Sequence, residues 1–308
     1  MKRHGVMRST LARRYGSWLL SALAGLGLLG GTAFISVRFY RQPLETTNTL
    51  LRRWLLLRGV REYSCDLQGV LMHYYCAGRR GSPLILIHGI GNSAEVWTSL
   101  LLALSREYLV YAPDLPGFGR TPLAPEGVNI RAHVLYLKRF LDTLGYPRVI
   151  LLGNSLGGWI ATQFAASYPE RVQHLYLLNS AGLWREPFRP PYAPDRFSAQ
   201  LSLDRILGYH LPIPNFILDE VVRVSLRPAY HNFIHGYEPD EELDSVLAQV
   251  KAPTTIIWGK RDGVFPLFCA YDFHKGIPHS RLIMLETGHM PQLQAATKVA
   301  TVVQMTTR

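Results

Sequence analysis

The chain has 308 residues, 48% of them hydrophobic, and a formal net charge of +11. That length and apolar content exclude a disordered chain, and the absence of any repeat or low-complexity tract in residues 62–308 excludes a repeat array. The location of the charge excludes a basic nucleic-acid-binding domain: residues 1–61 hold 11 Lys and Arg against one acid, Glu45, which leaves 33 − 11 = 22 basic and 22 − 1 = 21 acidic residues for the rest.

Residues 1–16 form a basic amino-terminal tail, with Lys2, Arg3, Arg8, Arg13 and Arg14. Residues 17–37, SWLLSALAGLGLLGGTAFISV, carry no charge. As a helix they would be about 31 Å long, enough to cross the hydrocarbon of a bilayer, and a single transmembrane helix is the expectation. A cleaved secretory signal is the rival, but the apolar run is long for that role and ends in no small-x-small site. A buried core helix does not suit flanks of Arg13, Arg14, Arg38 and Arg41. Five basic residues before the span against four after it favour, by a small margin, an amino terminus in the cytoplasm with the remainder of the chain outside it.

Residues 38–61 are a juxtamembrane segment. Within it LLRRWLLLRGVR, Leu50 to Arg61, mixes Leu and Trp with Arg, a pattern that suits either a membrane surface or a helix packed on the domain. Next comes a hairpin turning near Gln68 and Gly69 whose register sets Cys65 opposite Met72. With Cys76 and Cys269 it makes no disulfide framework.

From residue 62 onward apolar runs of four to six residues, PLILIHG, LVYAPD, RVILLGNS, HLYLLNS, TTIIWG and RLIMLE, alternate with helical patterns at Ala94–Ser105, Ile130–Leu144 and Leu156–Tyr168. Near-continuous apolar strands alternating with helices predict an α/β fold, doubly wound around a mostly parallel sheet. One interval, residues 183–249, interrupts the alternation with prolines, aromatics and short helical pieces. It is too long for an ordinary connection and is expected to form a helical lid over the carboxyl ends of the strands.

In GNSLG, Gly153 to Gly157, a serine stands between glycines after a strand and before a helix. That context is what a nucleophile on a strained strand-to-helix turn requires, with Gly153 and Gly157 small enough to permit the turn. A serine hydroxyl needs a base, and the base an orienting acid. His289, in the loop after RLIMLE, is the expected base, because His210, His231, His235, His274 and His279 follow no clear strand. Asp262, just beyond TTIIWG, is the expected acid; Asp240, Asp244 and Asp272 fall in the lid or a helix. The oxyanion would be held by the backbone N–H of Leu156 and of Ile90, with Gly89 shaping the second loop. His88 reads as a buried structural histidine and the Asp114 loop as structural. His231 and His235 stand at i and i+4 without a third ligand, so no metal is expected. No phosphate loop or dinucleotide fingerprint occurs, and no cofactor is expected.

Taken together, LILIHGIGNSAEVW, APDLPGFGRT, GNSLGG, YPERV, WGKRDGVFP and ETGHMPQLQ resemble the α/β-hydrolase superfamily over residues 60–300. Within it, an anchor with HGIG, DLPGFG and GNSLGG resembles the membrane-bound monoacylglycerol lipase and bacterial lipase branch. The resemblance implies a serine hydrolase of carboxylic esters, acylglycerols or other lipid esters, acting through an acyl-enzyme on Ser155 without a cofactor at a bilayer. Gln294 stands where relatives often carry an acid. Ser155 argues against the dehalogenase and epoxide hydrolase branches, which use aspartate. The alternatives are a C–C bond hydrolase of a ring-cleavage pathway with the same three residues, and a catalytically silent membrane binding protein.

Overall fold

The computed structural model describes residues 35–183, 185, 191–236 and 242–306. The chain divides into two units, Met1–Leu50 and Leu51–Arg308, the division falling within helix α1, Pro43–Leu57. Most of the expected transmembrane segment lies outside the described residues. Among the described residues no helix is long and apolar enough to cross a membrane.

The second unit is built on an eight-stranded sheet. In chain order the strands are β1 (Arg61–Asp66), β2 (Leu71–Ala77), β3 (Pro83–Ile87), β4 (Leu109–Pro113), β5 (Val149–Asn154), β6 (Val172–Leu178), β7 (Thr254–Gly259) and β8 (Arg281–Leu285). They lie side by side as β1-β2-β4-β3-β5-β6-β7-β8. β1, β2 and β4 pair antiparallel, and every pair from β4 through β8 is parallel. All six apolar runs named above therefore form strands of this mostly parallel sheet, and the hairpin places Cys65 opposite Met72. All three cysteines are free.

A strand buried on both faces has no polar side to spare, and β5 shows why its sequence is unbroken Val-Ile-Leu-Leu. Val149 and Leu151 join one apolar cluster, with Trp159 and Phe164 of α4 (Leu156–Ser167) and Phe140 of α3 (Ile130–Leu144). Ile150 and Leu152 point to the opposite face. There they join a second cluster with Leu100 and Leu101 of α2 (Thr98–Leu104) and Val299 and Val303 of the helix Ala296–Thr306. α3 begins where Asn129 accepts from the Ala132 N–H and ends at Gly145 in the left-handed region, so its bounds follow from its capping residues.

Among the described residues the long interval between β6 and β7 holds three α-helices, α5 (Arg196–Leu207), α6 (Asn215–Ser225) and α7 (Pro228–His235). The remaining helices are α8 (Leu267–Gly276) between β7 and β8, then α9 (Pro291–Gln294) and α10 (Ala296–Thr306).

Candidate active site

Parallel strands end on the same side of a sheet, so the loops after β3, β5, β6, β7 and β8 converge there. Ser155 follows β5 directly and precedes α4, with φ 56 and ψ −120. A positive φ is strained for a residue with a side chain, and the surrounding contacts fix it. The Ser155 N–H donates to Leu178 O at 3.1 Å, and its carbonyl accepts from Gly158, Trp159 and Ala181. The glycines leave the room. A Cβ on Gly153 would sit 2.2 Å from Gly157 O, and one on Gly157 would sit 2.0 Å from Ile87 O.

Asp262 lies three residues past β7 and His289 four past β8. His289 Nδ1 and Asp262 Oδ2 are 2.9 Å apart. The other carboxylate oxygen accepts from the N–H groups of Val264 at 2.7 Å and Phe265 at 3.1 Å. The structure thus brings the expected base and acid into contact. Ser155 Oγ makes no hydrogen bond to the His289 ring among the described residues; their loops are joined through Asn154. Its Nδ2 donates to Leu178 O at 3.0 Å and His289 O at 3.2 Å, while its Oδ1 accepts from Gln292 at 2.8 Å.

Gly89 and Ile90 follow β3 beside the serine. A Cβ on Gly89 would stand 3.2 Å from the Ser155 Cβ, so this loop passes against the nucleophile candidate on one side while Leu156 opens α4 on the other. His88 fixes the loop. Its ring spans from Gly89 O, 2.8 Å from Nδ1, to the Leu115 N–H, which donates to Nε2 at 3.0 Å. With one nitrogen donating and the other accepting, the ring is neutral, and burial pulls its pKa below the ordinary range.

Asp114 is fully buried and organises the adjoining loop. Its carboxylate accepts from the N–H groups of Ala94 at 2.7 Å and Arg120 at 2.9 Å, and lies 2.8 Å from His73 Nδ1. Burial alone would raise its pKa. The hydrogen bond with His73, the nearby His88 and the Ala94 amide outweigh burial and hold it below the usual carboxylate range. The structural reading of both His88 and the Asp114 loop matches these contacts.

The rival residues lie elsewhere. Asp244 and Asp272 both accept from Arg185, His210 pairs with Asp204, and His274 contacts Ser280. Asp240 lies outside the described residues. The His231 and His235 rings are tilted at 45° with centroids 4.3 Å apart, and no metal-binding group of residues occurs among the described residues.

Two side chains at the site, Asn179 and Gln292, were not singled out from the sequence, and a third, Gln294, was noted only as a departure from the family pattern. Asn179, after β6 with φ 45, donates from Nδ2 to Asp262 Oδ2 at 2.6 Å. Gln292 braces Asn154. Gln294 accepts from the Gly288 N–H at 2.7 Å and donates to Leu207 O at 3.0 Å, so the residue that departs from the family pattern links the His289 loop to α5. The only signal for Asn179 was its place at a strand end, in HLYLLNS.

Residues 82–208 match the family model described as alpha/beta hydrolase fold. Lipase 1 of Psychrobacter immobilis is 29% identical over 255 residues, 71% of this chain and 75% of that protein. A 2-hydroxy-6-oxononadienedioate/2-hydroxy-6-oxononatrienedioate hydrolase of Pseudomonas putida is 29% identical over 274 residues, 77% of this chain and 90% of that one. Among solved structures, a bacterial membrane phospholipase A superposes with a TM-score of 0.75 at 24% identity, covering 92% of this chain and 97% of that one. With this sheet order and the strained serine turn between β5 and α4, the chain has the alpha/beta hydrolase fold.

Proposed function

We propose that this protein is a serine hydrolase of carboxylic esters, with lipid esters such as acylglycerols as its substrates. The observation that carries the reading is Ser155 on a strained turn at the same sheet edge as the hydrogen-bonded Asp262–His289 pair. In the reaction, Ser155 Oγ attacks the ester carbonyl and His289 Nε2 takes the hydroxyl proton. Asp262 holds the Nδ1–H and stabilises the imidazolium. The carbonyl oxygen becomes an oxyanion facing the N–H groups of Ile90 and Leu156. Collapse breaks the C–O bond to the alcohol, which takes the proton from His289. Water, deprotonated by His289, then attacks the acyl-enzyme; the acid leaves and Ser155 regains its proton.

Ser155 is 8% exposed and His289 6%. Substrate therefore needs movement of what covers them, and the interval 183–249 is the candidate lid. Tyr230 and Val224 approach Gly91, and Ala229 approaches Gly117, so α6 and α7 rest against the loops after β3 and β4. Residues 17–37 are proposed as a single-pass anchor with the catalytic domain outside the cytoplasm, which a reporter fused after Arg308 tests. Lipase 1 and the membrane phospholipase A support a lipid ester as substrate.

The test is hydrolysis of short and long acyl esters by the wild type and Ser155→Ala, with fluorophosphonate labelling of Ser155. Full activity in the alanine variant overturns the mechanism, and an unlabelled, inactive wild type would make the chain a silent binding protein. The Pseudomonas hydrolase favours a second reading, C–C bond cleavage by the same residues. Product analysis separates the two, since an ester yields an alcohol and an acid.

A further inference from the structure

At the opposite end of the sheet from Ser155, the end of α1, the end of β2 and the end of α2 enclose a groove of about 910 Å³. Five arginines line it, Arg58, Arg61, Arg79, Arg80 and Arg106, and no acidic residue does. None of the five forms an ion pair among the described residues. Arg58 lies over the Trp54 ring, Arg61 over Tyr63 and within reach of Cys76 Sγ, and the other three reach only solvent. Exposed arginines are normally interspersed with acids, and elsewhere in this unit they are: Arg52 meets Glu62, Arg139 meets Glu126 and Arg196 meets Asp219. Five together without a counter-charge make a local positive potential that an anion would relieve.

The last turn of α1, which leads into the groove at Arg58, identifies which anion. Leu57, adjacent to Arg58, is 86% exposed, and Leu56 and Trp54 are 42% and 41% exposed. Guanidinium groups at phosphate depth beside Leu and Trp at acyl depth are what a bilayer interface accommodates. A nucleic acid would use the arginines but leave those apolar side chains in water. We infer that this groove docks the domain on an anionic bilayer, its arginines binding the phosphates of phospholipid headgroups. Its position opposite the candidate active site makes it a docking surface and not a substrate subsite. The inference does not depend on the proposed reaction.

The test uses the full chain in lipid nanodiscs of phosphatidylcholine alone, or of phosphatidylcholine with phosphatidylglycerol. Phenylglyoxal modification of Arg79, Arg80 and Arg106 is followed by mass spectrometry against Arg281 as the reference. In the anionic discs the three should react about fivefold more slowly than in the neutral discs, and high salt should remove the difference. In Arg79→Gln/Arg80→Gln, Arg106 should return to its neutral-disc rate, with a melting curve and water-soluble ester hydrolysis like the wild type's. Equal labelling in both discs overturns the inference. So does equal protection in neutral discs by glycerol phosphate, which marks a free-anion site, or by a DNA oligonucleotide, which marks a nucleic-acid site.

Discussion

Asn179 Nδ2 and His289 Nδ1 share one acceptor: both lie within hydrogen-bonding distance of Asp262 Oδ2, at 2.6 and 2.9 Å. Asn179 Oδ1 also accepts from the Gly259 N–H at 3.2 Å, so one side chain ties the end of β6 to the end of β7 and to the carboxylate between them. The Asp262 carboxylate is thereby held by amides on every side but the one His289 occupies.

Asn179→Ala should therefore act through Asp262. With the amide gone, Asp262 can rotate, and His289 loses its fixed orientation. The expected result is a fall in kcat of about 10- to 100-fold with KM little changed. Alanine at φ 45 adds about 1 kcal/mol of backbone strain. Steady-state kinetics with a soluble ester, read beside a melting curve, separates the two effects. A change confined to melting would show that Asn179 is only structural.

Gly157→Ala places a methyl group 2.0 Å from Ile87 O and 2.7 Å from His88 O. Both are backbone atoms, so β3 and the Gly89–Ile90 loop must move. The expected loss is about 1 to 3 kcal/mol of stability, with activity falling further because that loop flanks Ser155. Gly127→Ala is the comparison: φ there is positive, unlike at Gly157, but no atom lies within 4 Å. It should lower the melting temperature slightly and leave activity intact.

These contacts show what a single chain can and cannot disclose. β5, α3 and the serine turn were readable because apolar periodicity, a capping Asn129 and the small neighbours of Ser155 are local signals. The Asp262–His289 contact was foreseeable because each residue stands in the loop that follows a strand. Asn179 and Gln292 were not, since their partners lie 83 and 138 residues away, and an asparagine or glutamine in a loop has many structural uses. Gln294 was noticed only as a departure from a family pattern; its contact with Leu207 depends on how α5 docks, which no local signal encodes.

Acid should destabilise the fold through its buried histidines. Burial lowers the pKa of His133 from 6.5 to about 4, and that of His174 likewise to about 4. The unfolded chain thus takes up protons near pH 6.5 that the folded chain accepts only near pH 4, so stability is full above 6.5 and is lost as pH falls through that window. His133 alone, 1% exposed, should account for on the order of 3 kcal/mol. Melting temperatures across the window should show a shallower pH slope in His133→Gln than in the wild type. An unchanged slope would remove His133 from the explanation.

Gln294→Glu tests the link between the His289 loop and α5. The carboxylate can still accept from the Gly288 N–H, but it has no proton to donate to Leu207 O. Leu207 is at the end of α5, where the neighbouring Ile206 O accepts the His289 N–H at 2.8 Å and Arg205 O accepts the Gly263 N–H at 3.0 Å. With Arg205 Nε donating to Gly263 O at 2.8 Å, these contacts fasten this helix to the two loops that carry His289 and Asp262, and the substitution removes one of them. The expected cost is about 1 to 2 kcal/mol, concentrated in faster hydrogen exchange at the His289 and Gly263 amides. Exchange that rises uniformly across the domain, with no excess at those two amides, would mean that the Gln294 contact does not anchor α5 locally.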